Sequence, residues 1–202
     1  VDSVTGLAGI ELEVDAWKAD VTYSGTQKCL SAPPGISLIT FSDKAAAQVK
    51  ARNTPVQSWF LDLSLLMAYW EGDGARTYHH TAPVNAMYGL HEALLMVKEE
   101  GLENSWHKHR AMHEVLVENL NGIGLEFVVD ASYRLPQLNL VKIPEGVDEA
   151  AVRKRLLSEF NLEIGAGLGA FAGKVWRIGL MGYSARHENI QLCTSALKHC
   201  MR

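Results

Sequence analysis

Polar and apolar positions change their rhythm twice along this chain, and each change predicts a different kind of element. In the first forty residues the apolar runs are short and β-rich. Val21-Thr22-Tyr23-Ser24 reads as a strand closed by Gly25, and Ile36-Ser37-Leu38-Ile39-Thr40-Phe41 as a second, with Pro33-Pro34-Gly35 as the punctuation between them. Residues 1–4 read as the end of a buried strand, and residues 6–20 carry no strong period beyond a helical turn over 14–17. From residue 43 helical spacing takes over. Asp43 is placed to cap an alanine-rich helix ending at Lys50. A second helix over 62–70 is apolar on most faces and is stopped by Gly72 and Gly74; core packing and a subunit contact explain that face equally well. Val84, Met87, Leu90, Leu94 and Val97 recur at spacings of three and four, which predicts a helix ending at Gly101 with Thr81 as its cap and Pro83 in its first turn. The next helix, over 104–121, carries Trp106, His109, His113, Leu116 and Leu120 on one stripe.

Beyond residue 124 the rhythm changes again. Strands are predicted over 126–129, 137–143, 162–165 and 175–180, and helices over 148–160 and 187–198. That order predicts an α+β layer with helices on an antiparallel sheet, and a domain boundary at Gly101 that divides the chain into 1–100 and 101–202.

Composition narrows the function classes only a little. With 202 residues and 48% hydrophobic content the chain can bury a real core. A net charge of -4 with no basic block argues against a nucleic-acid surface. No run approaches a membrane span, and the start at Val1, without a methionine or signal peptide, suggests a piece of something longer. Cys29, Cys193 and Cys200 are few, odd in number and without metal spacing, which favours a reducing intracellular compartment. The expectation is cytoplasmic, with peroxisome and mitochondrion as alternatives.

The candidate chemistry centres on Lys28. It sits in a small-residue turn between the first two strands, where desolvation would keep an amine neutral and nucleophilic. Taken alone, it is more often a solvated surface charge. The surrounding Ser24-Gly25-Thr26-Gln27-Lys28 and Ala32-Pro33-Pro34-Gly35 change that weighting. They resemble the lysine segment of the fold-type I, class V aminotransferases that use pyridoxal phosphate, in the alanine–glyoxylate and serine–pyruvate subgroup. That segment reads Ser-Gly-Ser-Gln-Lys followed by Ala-Pro-Pro-Gly, so Thr26 is a mild departure. The resemblance runs through the whole chain, to Arg202.

The resemblance implies a fold: the C-terminal part of the cofactor-binding large domain, a mostly parallel sheet with helices, followed by a small α+β domain with an antiparallel sheet. It also implies roles. Lys28 would be the Schiff-base lysine, and Asp2 would pair with the pyridine nitrogen while Val4 packs on the ring. Gln27 would help hold the phosphate, and Tyr78 and Thr81 of Tyr78-His79-His80-Thr81-Ala82-Pro83 would reach the phosphate of a neighbouring subunit. Arg177 of Arg177-Ile178-Gly179 would bind the α-carboxylate through a planar fork. Blander readings stand beside these: Asp2 as a turn residue at a strand end, Thr81 as a helix cap and Arg177 in a structural ion pair. The implied partners are small amino acids, 2-oxo acids, the N-terminal half of the enzyme and a second completed unit in a homodimer. The ring-stacking aromatic and much of the phosphate cradle belong to that N-terminal half, so this polypeptide alone is expected to be inactive.

Other motifs carry less. The His79-His80 pair points in two directions without a third ligand, and His109 and His113 lack the intervening glutamate of a zinc-protease helix, so a plain helix surface is expected there. Gly165-Ala166-Gly167-Leu168-Gly169-Ala170 fits a dinucleotide fingerprint formally, but a strand rather than a helix follows it. Cys29, beside Lys28, makes a poor sulfur carrier, which argues against desulfuration. Two alternatives to the alanine or serine donor reaction remain: another fold-type I enzyme, such as a 3-hydroxykynurenine or other class V transaminase, and a non-catalytic assembly fragment.

Overall fold

The computed structural model describes residues 1–71 and 77–202, so the proposed stop at Gly72 and Gly74 lies outside the described residues. Strands β1 (Val21–Gly25) and β2 (Ser37–Phe41) form an antiparallel pair in which Val21 faces Phe41 and Gly25 faces Ser37. The helices α1 (Asp43–Lys50), α2 (Leu63–Glu71), α3 (Val84–Glu100) and α4 (Leu102–Gly122) follow. Then come β3 (Leu138–Lys142), α5 (Glu149–Phe160), β4 (Gly165–Ala166), β5 (Val175–Gly179) and α6 (His187–Cys200). The second sheet is antiparallel in the order β3-β5-β4. No described helix is long and apolar enough to cross a membrane.

The larger apolar core lies in the second half. Leu116 and Leu120 of α4, Val152 and Leu156 of α5, Ile190 and Leu197 of α6, and Trp176 and Ile178 of β5 pack together. Burial of such side chains is the main stabilising term, at about 1.5–3 kcal/mol each. A smaller cluster joins Ala8, Cys29 and Leu30 to Leu90 and Val97 of α3 and to Met181, just past β5.

Several boundaries depart from the expectations for local reasons. Ser42, not Asp43, caps α1: its hydroxyl accepts from the Ala45 amide at 3.1 Å, and Asp43 falls in the first turn. Thr81 does not cap α3, whose N-cap position is held by Pro83 without a side-chain bond. The strand expected over 126–129 is a single bridge from Phe127 to Val141, because the Asp130 carboxylate accepts from the Ser132 amide and opens a 3₁₀ turn. The strand expected over 162–165 begins only at Gly165. Asn161 adopts the left-handed conformation that closes α5, and the Leu162 amide returns to the Leu156 carbonyl.

Residues 1–4 form no buried strand. Val1 and Asp2 are exposed, and the amides of Gly6 and Leu7 turn back to the Ser3 carbonyl. The parallel sheet implied for the first hundred residues is represented among the described residues by one parallel bridge, from Asp2 to Tyr23.

Candidate active site

The Lys28 loop is tied closed by its own residues. The Thr26 carbonyl accepts from the Ala32 amide at 3.1 Å, and the Thr26 hydroxyl donates to the Pro33 carbonyl at 2.6 Å. Inside that closure the Ser31 amide donates to the Lys28 carbonyl at 2.9 Å, and Ser31 takes a left-handed φ of 57°. Such a φ is uncommon outside glycine and persists where its surroundings enforce it. Lys28 is half-buried at the rim of a cleft of about 410 Å³, lined also by Gln27, Ser31, Ala32, Gly179, Met181, Tyr183 and Ser184. Among the described residues no carboxylate pairs with Lys28. A larger hollow of about 1030 Å³ between α1 and α2 holds none of the candidate side chains.

Arg177 does not line this cleft itself, but Gly179, two residues on along the same strand, does. Trp176 and Ile178 turn into the core, so Arg177 and Gly179 share the opposite face of β5, two residues or roughly 6.6 Å apart along the strand. The Arg177 Nε donates to the Ala166 carbonyl at 2.7 Å, which orients the guanidinium over β4. A Cβ at Gly165 would lie 3.3 Å from Arg177 Nε and Nη2, so this glycine makes room for the arginine. Gly167 is equally committed to packing, because a Cβ there would lie 2.1 Å from the Phe171 carbonyl oxygen. These glycines serve sheet geometry, and β5 rather than a helix follows them. Among the described residues no carboxylate pairs with Arg177, so the structural ion pair is not formed.

Asp2 is tied to β1 by a bridge to Tyr23. Its carboxylate accepts from the Val4 amide and from the Tyr23 hydroxyl, each at 2.9 Å, and these bonds, the first above all, hold its pKa below the usual carboxylate range. Ser3 fastens the segment to β1: its amide and hydroxyl both donate to the Tyr23 carbonyl, and Ser24 Oγ donates to the Ser3 carbonyl. Val4 is half-buried beside it. Tyr78 and Thr81 lie outside the cleft, on the loop before α3, where their exposed hydroxyls bond to each other. That loop is positioned by His79, which is buried and stacks on Trp59 with ring centroids 4.1 Å apart. The His79 Nε2–H donates to the Trp59 carbonyl at 3.0 Å, and its Nδ1 shares a 2.7 Å hydrogen bond with His80 Nδ1.

Sequence reasoning missed Ser31, Tyr23, His109 and Gly182. His109 is no surface residue: it is 0% exposed, its Nδ1–H donates to the Ser105 carbonyl at 2.7 Å, and its Nε2 accepts from the Gly182 amide at 2.8 Å. Those bonds require a neutral ring, and burial lowers its pKa. The signal available beforehand was its place on the same stripe as Leu116 and Leu120. Cys29 is buried, its Sγ donates to the Thr5 carbonyl at 3.4 Å, and desolvation pushes its pKa up to about 11, the opposite of a reactive thiol.

Comparison with known proteins identifies the fold. The class-V aminotransferase model matches residues 1–192. The chain belongs to that family. Over 204 residues it is 45% identical to the alanine–glyoxylate aminotransferase of Callithrix jacchus, a match covering 100% of this chain and 49% of the relative. It superposes on the alanine–glyoxylate aminotransferase of Nostoc sp. with a TM-score of 0.96 and 48% identity, covering 100% of this chain and 53% of that one. The ureidoglycine–glyoxylate aminotransferase of Bacillus subtilis follows at 0.94 and 41%, covering 99% and 51%. The chain thus spans about half the length of the relatives it matches.

The family implies pyridoxal phosphate as cofactor. The class-V residues present fit part of that group. Asp2 is held ionised, as the partner of a pyridinium nitrogen must be; Lys28 lines the cleft with no carboxylate paired to it among the described residues; and Gln27 is exposed beside it. The site also sets a steric limit. Gly182, at φ 53°, lies so close to the lysine loop that a Cβ would meet Ser31 Oγ at 2.1 Å and the Cys29 carbonyl oxygen at 2.5 Å. Gly182→Ala is therefore expected to destabilise the fold by about 2–5 kcal/mol, combining a left-handed φ with overpacking against backbone. Chemical denaturation measures this, and an unchanged midpoint would contradict it.

Proposed function

We propose that this chain is the lysine-bearing C-terminal half of a pyridoxal-phosphate-dependent aminotransferase. It would move an amino group from a small amino acid, alanine or serine, to a 2-oxo acid, glyoxylate or pyruvate. The observation that carries this reading is the convergence of Lys28 and the segment continuing from Arg177 on one cleft, with neither cation neutralised by a described carboxylate. Names of the relatives support the substrate class, since they pair alanine or ureidoglycine with glyoxylate.

The cofactor, when bound, supplies the electron sink that makes the α-proton of an amino acid acidic. Lys28 would hold it and would carry a proton from the donor's α-carbon through Nζ. The ionised Asp2 would favour a protonated ring nitrogen, with Tyr23 keeping the carboxylate in place. Arg177 would grip the donor's carboxylate and so orient the α-carbon toward Lys28. Gln27, and Tyr78 and Thr81 across a dimer interface, would contact the phosphate.

A complementary N-terminal half and a homodimer of the completed unit belong to the same proposal. The half-length match to the relatives supports the first, and the exposed pairing of Tyr78 with Thr81, outside the lining of this chain's own cleft, supports the second. We further propose a division at Gly101, supported by the two apolar clusters, and a reducing compartment, which suits three buried unpaired thiols. The test combines this chain with its complementary half, adds pyridoxal phosphate, and measures a panel of alanine, serine, aspartate and kynurenine-type donors against glyoxylate and pyruvate. The expected result is turnover with alanine or serine and glyoxylate. Turnover confined to the kynurenine-type donor would favour the other class V reaction, and no turnover with a fully assembled complex would favour a scaffold role.

A further inference from the structure

Four separate parts of the chain meet behind the cleft, and the bonds that join them all run through side chains. Gly182 and Tyr183 lie five and six residues beyond Arg177, where the chain leaves β5. Their consecutive amides donate to two different elements: Gly182 to His109 Nε2 of α4 at 2.8 Å, and Tyr183 to Ser31 Oγ of the lysine loop at 2.9 Å. Helix α4 is itself fastened to the N-terminal segment, since Ser105 Oγ donates to the Ala8 carbonyl at 2.7 Å, and Ser105 is the residue whose carbonyl orients His109.

We propose that His109 and Ser31 form a positioning clamp that sets the strand bearing Arg177 at a fixed distance from Lys28, and so determines how well a donor carboxylate and its α-nitrogen are served at once. This rests on the aminotransferase reading above. The physical argument is one of span. An amino acid separates its carboxylate from its α-nitrogen by only two bonds to the same carbon, so a shift of about 1 Å between the two protein groups misplaces the reacting atom. Packing alone would let β5 slide relative to a surface loop, whereas a buried hydrogen bond at the Gly182 amide and an exposed one at the adjacent Tyr183 amide fix both its height and its rotation. The left-handed φ of Ser31 has its explanation here, because it turns the hydroxyl to the Tyr183 amide. The absent side chain of Gly182 does too, because it lets the two backbones meet.

His109, the residue replaced in the test, is not among the residues lining the cleft, so the expected signature is selective. In the assembled holoenzyme, His109→Leu removes both ring bonds and is expected to raise KM for the amino donor about tenfold or more, with borohydride trapping of pyridoxal phosphate on Lys28 at the wild-type level. His109→Gln keeps one donor and one acceptor on a planar group and is expected to restore KM to within about threefold. Amide hydrogen exchange supplies a readout independent of activity: exchange at Gly182 and Tyr183 should quicken about tenfold in His109→Leu and stay near wild type in His109→Gln. Unchanged exchange at these amides in His109→Leu overturns the clamp. So does a loss of trapping and of donor binding in step with a general loss of stability, which would mark His109 as a plain core residue. If the wild-type complex traps no cofactor, the aminotransferase reading fails, and the exchange measurement still judges the clamp.

Discussion

Lys28→Ala is expected to lower turnover of the assembled enzyme at least about 10⁴-fold, the largest effect of any single substitution in the chain. Proton transfer by a positioned side chain contributes about 10²–10⁴-fold by itself, and this residue would also supply the covalent attachment. The fold should survive the change, because Lys28 is half-buried at a cleft rim and the loop is closed by Thr26, Ser31, Ala32 and Pro33 rather than by the lysine. Lys28→Arg is the sharper control. It keeps the positive charge, but a guanidinium stays protonated and cannot take a proton at neutral pH. Turnover and borohydride-fixed pyridoxal phosphate, located by peptide mass, are the measurements. Normal turnover in either variant would end the proposal.

Arg177→Ala follows, with an effect expected on donor affinity. A charge-assisted hydrogen bond contributes about 1.5–3 kcal/mol, so KM for alanine should rise about 10–100-fold while cofactor trapping on Lys28 is unaffected. Arg177→Lys should recover only part of this. Lysine keeps the charge but loses both the bidentate fork and the Nε–H that donates to the Ala166 carbonyl and aims the group. If Arg177→Ala instead lowers stability and leaves KM unchanged, the arginine serves the sheet. The absence of a described carboxylate partner is the reason to expect otherwise.

The two substitutions probe the cleft lysine and the strand that leads into the cleft, and the clamp connects them. Weakening either group's chemistry leaves the other in place, whereas loosening the clamp moves one relative to the other. The donor KM of Arg177→Ala and of His109→Leu should therefore combine less than additively, since a carboxylate no longer gripped gains little from a strand held in register.

Much of this protein was legible in the residues alone. The Ser-Gly-Thr-Gln-Lys and Ala-Pro-Pro-Gly segments marked the lysine loop because turn chemistry is local: Thr26 and the prolines close it through neighbours within seven residues. The helices from Val84 to Cys200 followed from apolar spacing, since a face packed on a core must repeat every three or four positions. What the sequence could not decide was long-range. His109 looked like helix surface because periodicity says which residues share a stripe, not that the Gly182 amide, 73 positions away, would arrive to meet its ring. Ser31 and Tyr183 are 152 positions apart, and no local signal ties them. The short β4 and the lone Phe127 bridge were likewise decided by hydrogen bonds to distant or capping partners. The chain's chemistry is written in local motifs, but the separation between its two cationic groups exists only once tertiary packing has brought α4, the lysine loop and the end of β5 into hydrogen-bonding range.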